Sequence, residues 1–294
     1  MIPFIFLTAK GERADIRRGY NLGVDHYLTK PFEPEDLLIA VSSRLKRAAQ
    51  IQAATRDEVE STKQQLIDIF SHELRTPLAV IYGYIELLRE GHRDMDADVT
   101  DRVLQEMQQG ADRLVNLVKD LMLIVYIDSG AVSLEYERYR QRTNLSYELQ
   151  AAVRDLSAKA EKRKVALNMV VPNELVVLGC PAYLRDIFTR LIDNAIKFSR
   201  RDGGQVWIKG AAQDSWAIIS VQDNGVGIAP ELQEHLFERF RQIDRSKIEQ
   251  QGVGLGLAIA SRLARMHGGS IEVESQPGEG STFTLRFPLD RIVE

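Results

Sequence analysis

The chain has little of several things, and each lack excludes something. Its 294 residues include one cysteine, Cys180. No internal disulfide can form, so burial and hydrogen bonding must hold the fold, as suits a reducing compartment. No apolar run reaches the ~18 residues of a membrane span. The most apolar stretch, Leu114 to Ile127, is interrupted by Asn116, Lys119 and Asp120. The opening MIPFIFLTAKGER is too short in its apolar part for a secretory signal and lacks a basic start. A cytoplasmic location is therefore expected, with any membrane sensor outside this chain. There is no excess of positive charge. The net charge of −4 argues against a chain built mainly to bind nucleic acid. Internal repeats and low-complexity tracts are lacking, and prolines number only nine.

What remains is ordinary for a globular protein: 44% hydrophobic and 27% charged residues, enough for a sizeable core. The length suits two or three domains. The first 47 residues read strand, helix, strand, helix. Ile2–Ala9 is a short apolar run of the buried parallel type, Gly11–Leu22 is helical in pattern, HYLTKPF is a second strand, and Glu33–Lys46 a helix with Pro34 near its start. Two β-α units make a poor stand-alone domain.

From about Ala48 the apolar positions step as Val59, Leu66, Ile69, Leu74, Leu78, Ile81, Ile85 and Leu88, the stripe of an amphipathic helix. Pro77 should kink it. After a polar turn at Gly91–Asp98, a second stripe runs Val99, Val103, Met107, Leu114, Leu117, Leu121 and Ile124. Such a helical hairpin buries little alone. Two of them across a two-fold axis make a four-helix bundle, so a homodimer is expected. Beyond Gly130, strands are expected at Val132–Tyr136, Val165–Val171, Val206–Lys209, Trp216–Gln222, Ser270–Glu274 and Thr282–Phe287. Helices are expected at Leu145–Lys162, Ala182–Phe198 and Ala258–His267. That mixture predicts an α+β sandwich with helices on one sheet face. The chain is thus expected to be multidomain, divided 1–47, 48–128 and 129–294.

Four patterns can carry chemistry. In FSHELRTPL, His72 stands two residues from both Phe70 and Leu74. At about 100° per residue, it lies off the apolar stripe. A lone histidine of this kind is commonly just a surface residue. Here Glu73 can take or orient an imidazole proton and so sharpen the other ring nitrogen as a nucleophile. Thr76 lies one turn on, on the same face. In DIFTRLIDNAIKFS, Asn194 and Lys197 share a face away from Leu191, Ala195 and Phe198. That is either an ordinary amphipathic helix or an amide oxygen for Mg²⁺ beside a lysine for phosphate. DNGVGI offers an acidic residue, Asp223, at a strand end. Its glycines Gly225 and Gly227 suit a plain hairpin turn or the close approach of a flat ligand. QGVGLGLAIA places Gly252, Gly254 and Gly256 before a helix, where backbone N–H groups can meet phosphate. Between the last two lies LFERFRQIDRSKIEQ, lid-like, with Arg239, Arg241, Arg245 and Lys247 as phosphate candidates.

Together, in this order over roughly Ala48 to Leu289, these motifs resemble the sensor histidine kinases of two-component systems. The resemblance implies a dimerisation and phosphoacceptor hairpin followed by a Bergerat-type ATP-binding fold, with ATP and Mg²⁺ as cofactors. It implies that His72 is phosphorylated, that Glu73 serves as general base or orienter, and that Thr76 with Glu73 positions water for phosphatase action. Asn194 matches the metal-ligating asparagine, Lys197 the phosphate-contacting lysine and Asp223 the adenine-recognising aspartate. Gly225, Gly227, Gly252, Gly254, Gly256 and Arg241 match nucleotide-site positions. The implied partner is a response-regulator receiver domain, whose aspartate accepts the phosphoryl group.

Two positions depart from the family pattern. Arg190 stands four residues before Asn194, where many members carry asparagine, and Val253 stands where threonine or serine is frequent. Related gyrase and chaperone ATPases carry a water-activating glutamate at the position of Arg190. Simple hydrolysis is thus disfavoured, and Arg190 either contacts phosphate or weakens nucleotide binding. A catalytically degenerate dimeric scaffold is the alternative reading. Residues 1–47 resemble the second half of a receiver domain, with Thr8 as switch hydroxyl, Lys30 as phosphate-contacting lysine and Tyr27 near the aromatic switch position.

Overall fold

A computed structural model describes residues 5–8, 26–91, 96–239 and 254–290. The chain divides into two compact units, Met1–Asp68 and Ile69–Glu294. In the first, β1 (Ile5–Thr8) pairs in parallel with β2 (His26–Thr29), Thr8 opposite Thr29. The helix expected over Gly11–Leu22 lies outside the described residues. Helix α1 spans Pro34–Gly91. Pro34 opens it, where no N–H is needed, and the backbone N–H of Glu33 donates to the Asp36 carboxylate at 3.3 Å. The helix runs unbroken through residues 47 and 48 and past Pro77.

In the second unit, the end of α1 and α2 (Ala97–Asp128) form the expected hairpin. Buried residues along α2 fall at Val103, Gly110, Leu117 and Ile124, a strict seven-residue repeat. The two helices approach closely at Gly110. A Cβ there would lie 3.0 Å from the Ile81 side chain and 3.4 Å from the Pro77 carbonyl. Leu78, Ile85, Leu104, Val115, Val118, Met122 and Val125 remain exposed.

The expectation of a strand at Val132–Tyr136 is wrong. These residues belong to α3 (Ala131–Tyr139), with Val132 and Tyr136 buried one turn apart on one face. Short V-S-L-E-Y alternation fits either period, and here the four-residue spacing of the two buried positions decides. Two further short strands show no period in the sequence: β3 (Gln141–Asn144) and β5 (Val176–Gly179) pair antiparallel beside the main sheet.

The main sheet is mixed, in the order β4-β6-β7-β9-β8. Its strands are β4 (Val165–Val170), β6 (Gly204–Gln213), β7 (Trp216–Asp223), β8 (Ser270–Gln276) and β9 (Gly280–Pro288). Only β4 and β6 run parallel. Helices α4 (Leu145–Lys162), α5 (Pro181–Phe198) and α7 (Gly256–Met266) pack together over this sheet, and a short α6 (Pro230–Gln233) lies near β8. The expected bounds of α4 match, and α5 begins one residue early. Alternation sets the core: Val206 and Ile208 on β6, Ala217, Ile219 and Val221 on β7, and Phe283, Leu285 and Phe287 on β9 face inward. They meet Leu184, Ile187, Phe188, Leu191 and Ile192 of α5.

Phe188 is fully buried and meets the edge of Phe287 at a centroid distance of 6.4 Å. Phe188→Ala should cost about 3–5 kcal/mol. The expected result is a lower denaturant midpoint at unchanged slope in chemical unfolding.

Candidate functional site

His72 lies on α1 five residues before Pro77, with 64% of its side chain exposed. Its Nδ1 faces the Glu73 carboxylate at 3.8 Å. The Thr76 hydroxyl donates to the His72 carbonyl at 3.2 Å, a back-bond that ties the two residues across one turn. Two residues earlier, Phe70 packs against the core of the sheet domain, while Pro77 is buried in the hairpin. The side chain of His72 is thus presented outward by a helix whose flanking residues are anchored inward.

The second set lies on α5. The apolar face of that helix is fully buried, which leaves Asn194 and Lys197 half-buried on another face, as the sequence implies. Burial lowers the Lys197 pKa, with Lys159 and Arg163 nearby acting in the same sense and Asp193 opposing. The Lys197 ammonium lies 5.0 Å from the centroid of the Phe198 ring. Asp193 pairs with Lys159 of α4. Among the described residues no group of three or more His, Cys, Asp or Glu side chains could hold a metal.

Asp223 ends β7 on the inward phase of that strand, in register with Val206 and Ser281, and is 3% exposed. Its burial follows from period-two alternation: it continues the row Ala217, Ile219, Val221. The Gly225 N–H donates to its Oδ1 at 2.8 Å. Burial raises the carboxyl pKa to about 6, against the opposing pull of backbone N–H groups at Gly225 and Ser281. The loop that follows is wedged between elements. A Cβ at Gly225 would lie 2.0 Å from the Phe198 carbonyl oxygen. One at Gly227, where φ is +68°, would lie 1.8 Å from that of Gln276. The glycines are therefore demanded by the protein's own backbone packing, a requirement the sequence does not reveal. The Asn224 amide completes the anchoring by bonding Gln205 N–H and the Gly203 carbonyl, each at 2.9 Å.

The glycine-rich stretch is described from Gly254, which has φ +72°, and Gly256 opens α7. Gly252, Val253 and Arg241 lie outside the described residues, as do Arg245 and Lys247. Two arginines read as phosphate candidates take other partners. Arg190 is not an open phosphate contact: its Nη2 donates to Asp120 of α2 at 2.7 Å and its Nε to Asp186 at 2.9 Å. Arg239 grips Asp128 at the end of α2 through both terminal nitrogens, one at 2.6 Å, and Arg262 of α7 joins at 2.7 Å. The Arg239 guanidinium, aided by Arg262, holds the Asp128 carboxyl below its ordinary pKa. Asp120, Asp128 and Arg262 carry no sequence signal, being single charges on helix surfaces. His267 is also unheralded. It is buried, accepts from the Cys180 N–H at 3.1 Å through Nε2 and bonds the Leu263 carbonyl at 2.7 Å through Nδ1. Burial lowers its pKa, consistent with a neutral structural histidine.

Two protein families match separate stretches of the chain. Residues 62–130 match the family described as His Kinase A (phospho-acceptor) domain. Residues 179–291 match the Histidine kinase-, DNA gyrase B-, and HSP90-like ATPase family. The phosphate regulon sensor protein PhoR of Pseudomonas aeruginosa is 34% identical over 238 residues, 81% of this chain and 52% of that protein. The sensor histidine kinase RcsC of Escherichia coli is 32% identical over 257 residues, 86% of this chain and 26% of that protein. The chain thus spans about half or less of the length of these relatives. Among solved structures, full-length ShkA in complex with AMPPNP aligns with TM-score 0.55 and 29% identity over 76% of this chain and 45% of that one. The Acinetobacter baumannii histidine kinase AdeS shares the fold, with TM-score 0.57 and 22% identity over 75% of this chain and 98% of that one.

Asp223 provides a test of the site's electrostatics. Its folded pKa lies above the ordinary value of 3.8, so the folded state holds the proton more tightly than the unfolded one. Stability from this group is full below the unfolded value and is lost as pH rises through about 6. The difference between 3.8 and about 6 corresponds to roughly 3 kcal/mol. Unfolding curves of the wild type and Asp223→Asn between pH 4 and 7 should diverge by an amount of that order, with the wild type losing ground as pH rises.

Proposed function

We propose, for a chain that carries both a histidine kinase phospho-acceptor domain and a histidine kinase-type ATPase domain, that it phosphorylates its own His72 from ATP. It then passes the phosphoryl group to an aspartate of a response-regulator receiver domain. The observation that carries this reading is the outward, 64% exposed His72 with Nδ1 turned to Glu73. Glu73 favours the tautomer with its proton on Nδ1, which leaves the Nε2 lone pair outward. Nε2 forms a bond to the γ-phosphorus as the bridging Pγ–O bond breaks and ADP leaves. The Nδ1 proton moves to Glu73. Transfer to the partner reverses the polarity: the N–P bond breaks and a carboxylate oxygen of the receiver takes the phosphoryl group. Most of the rate enhancement would come from positioning and charge neutralisation. Thr76, held one turn from His72, is suited to orient water for phosphatase action on the same partner.

The ATP-binding role rests on the cradle around Asp223. An ionised Asp223 can accept from the exocyclic amine of adenine. Lys197 and the backbone at Gly254 and Gly256 lie on elements that can meet phosphate, with Arg241 and Gly252 completing the set. Gly225 and Gly227 shape the floor. Asn194 supplies a neutral amide oxygen, a hard oxygen donor that would suit Mg²⁺. When bound, that ion would neutralise charge on the phosphates. The AMPPNP complex of ShkA supports the nucleotide assignment. The exposed apolar side chains of the hairpin support a homodimeric four-helix bundle. For residues 1–47, the parallel pairing that sets Thr8 beside Thr29, next to Lys30, supports a receiver-like fragment.

Incubation with γ-labelled ATP and Mg²⁺ should give acid-labile, base-stable label on the wild type and none on His72→Ala. Absence of label on soluble wild type would overturn the kinase reading. Asp223→Asn should weaken AMPPNP binding about tenfold or more by calorimetry, since a hydrogen bond to a charged group is lost. Wild-type affinity should rise with pH through about 6, as the bound amine requires the ionised carboxylate.

A further inference from the structure

The C-terminal half of α2 lies against the ATPase-like domain. Ile124 belongs to that domain's core, and Leu123 and Ile127 pack on it. A carboxylate flanks this apolar contact on either side, Asp120 and Asp128, and each is met by arginine from the other domain. Arg190 occupies a particular place among these. It sits one turn before Asn194 on α5, with only 15% of its side chain exposed. Nη2 is committed to Asp120 and Nε to Asp186. Nη1 is on the side of the glycine-rich stretch: a Cβ built on Gly256 would lie 4.0 Å from it. One guanidinium therefore bonds the hairpin and the helix of Asn194 and lies near the N-terminus of α7.

We propose that Arg190 is a shared cation, which docks the ATPase-like domain on the hairpin through Asp120 and surrenders that pairing to nucleotide phosphate. This rests on the ATP reading of the site. Phosphate arriving at Gly254–Gly256 is an anion competing with Asp120 for the same fork, and phosphate engages arginine through two parallel N–H donors. A planar guanidinium cannot present the same edge to both. Once Arg190 turns to phosphate, Asp120 loses its partner at a half-buried site, where an unpaired charge is costly. The contact between α2 and the ATPase-like domain is then weakened at that end. Asp128, held by Arg239 and Arg262, forms the second point of the same latch. Nucleotide binding would thus release the domain to move relative to His72. By reciprocity, docking on the hairpin would lower nucleotide affinity.

The test is AMPPNP titration of wild type, Asp120→Asn, Arg190→Gln and the double variant, each as the full chain. Asp120→Asn should tighten binding about fivefold or more, within the usual range of coupling between sites. The same change in the Arg190→Gln background should leave affinity unaltered. In the wild type, AMPPNP should speed hydrogen exchange in residues 117–128, a readout that needs no variant. Equal affinity in wild type and Asp120→Asn, a change that persists without Arg190, or exchange that slows in 117–128 would each overturn the latch while leaving the ATP reading standing. If neither wild type nor Asp120→Asn binds AMPPNP at millimolar concentration, the ATP reading falls and the latch with it.

Discussion

Helix α5 lays Leu184, Ile187, Phe188, Leu191 and Ile192 on the inward rows of β6, β7 and β9, and the rest of the site depends on that packing. Because the apolar side of α5 is fully committed, the helix can present Asn194 and Lys197 in one way only. Because the inward row of β7 continues to its last residue, Asp223 enters the same layer, where its carboxyl is buried and hard to ionise. Phe198 ends the helix, and its carbonyl oxygen would meet any Cβ at Gly225. A shift of α5 along the sheet would therefore move the asparagine, the lysine and the wall of the aspartate's loop together. Close packing makes such a shift costly.

The hairpin obeys a looser constraint. Its two helices meet closely at Gly110 and Pro77, and their one buried line on α2 recurs every seven residues. A single line of buried positions leaves much apolar surface outward, which is the usual condition of a helix that awaits a partner. His72 lies on this less constrained element, five residues before the buried proline. Its exposure and its neighbour Glu73 both follow from helical phase: neighbours of the buried stripe at two-residue spacing point away from it.

The long-period features were legible beforehand. The stripe of α2, the bounds of α4, and the strands at Val165, Val206, Trp216, Ser270 and Thr282 follow from apolar periodicity, which is a local property of the chain, whereas on α1 Leu78 and Ile85 of the expected stripe are exposed. The short elements were not. Val132–Tyr136 alternates like a strand, yet four-residue spacing of two buried positions made it helix, and β3 and β5 are too short to show a period. Gly225 and Gly227 were legible as turn formers, but not as residues whose hydrogens face carbonyl oxygens from distant parts of the chain.

The sequence by itself determined the types of group available: an outward histidine beside a glutamate, an asparagine and a lysine on one helix face, an aspartate at a strand end and a run of glycines. These follow from residue identity and from periods of two and 3.6, which are set over a few neighbouring residues. Only the tertiary structure decided the pairing of charges. Arg190 belongs to Asp120, 70 residues away, and Arg239 and Arg262 belong to Asp128, 111 and 134 residues away. Ion pairing depends on distance in space and on burial. A lone charge on a helix surface carries no mark of which distant charge the fold will bring against it.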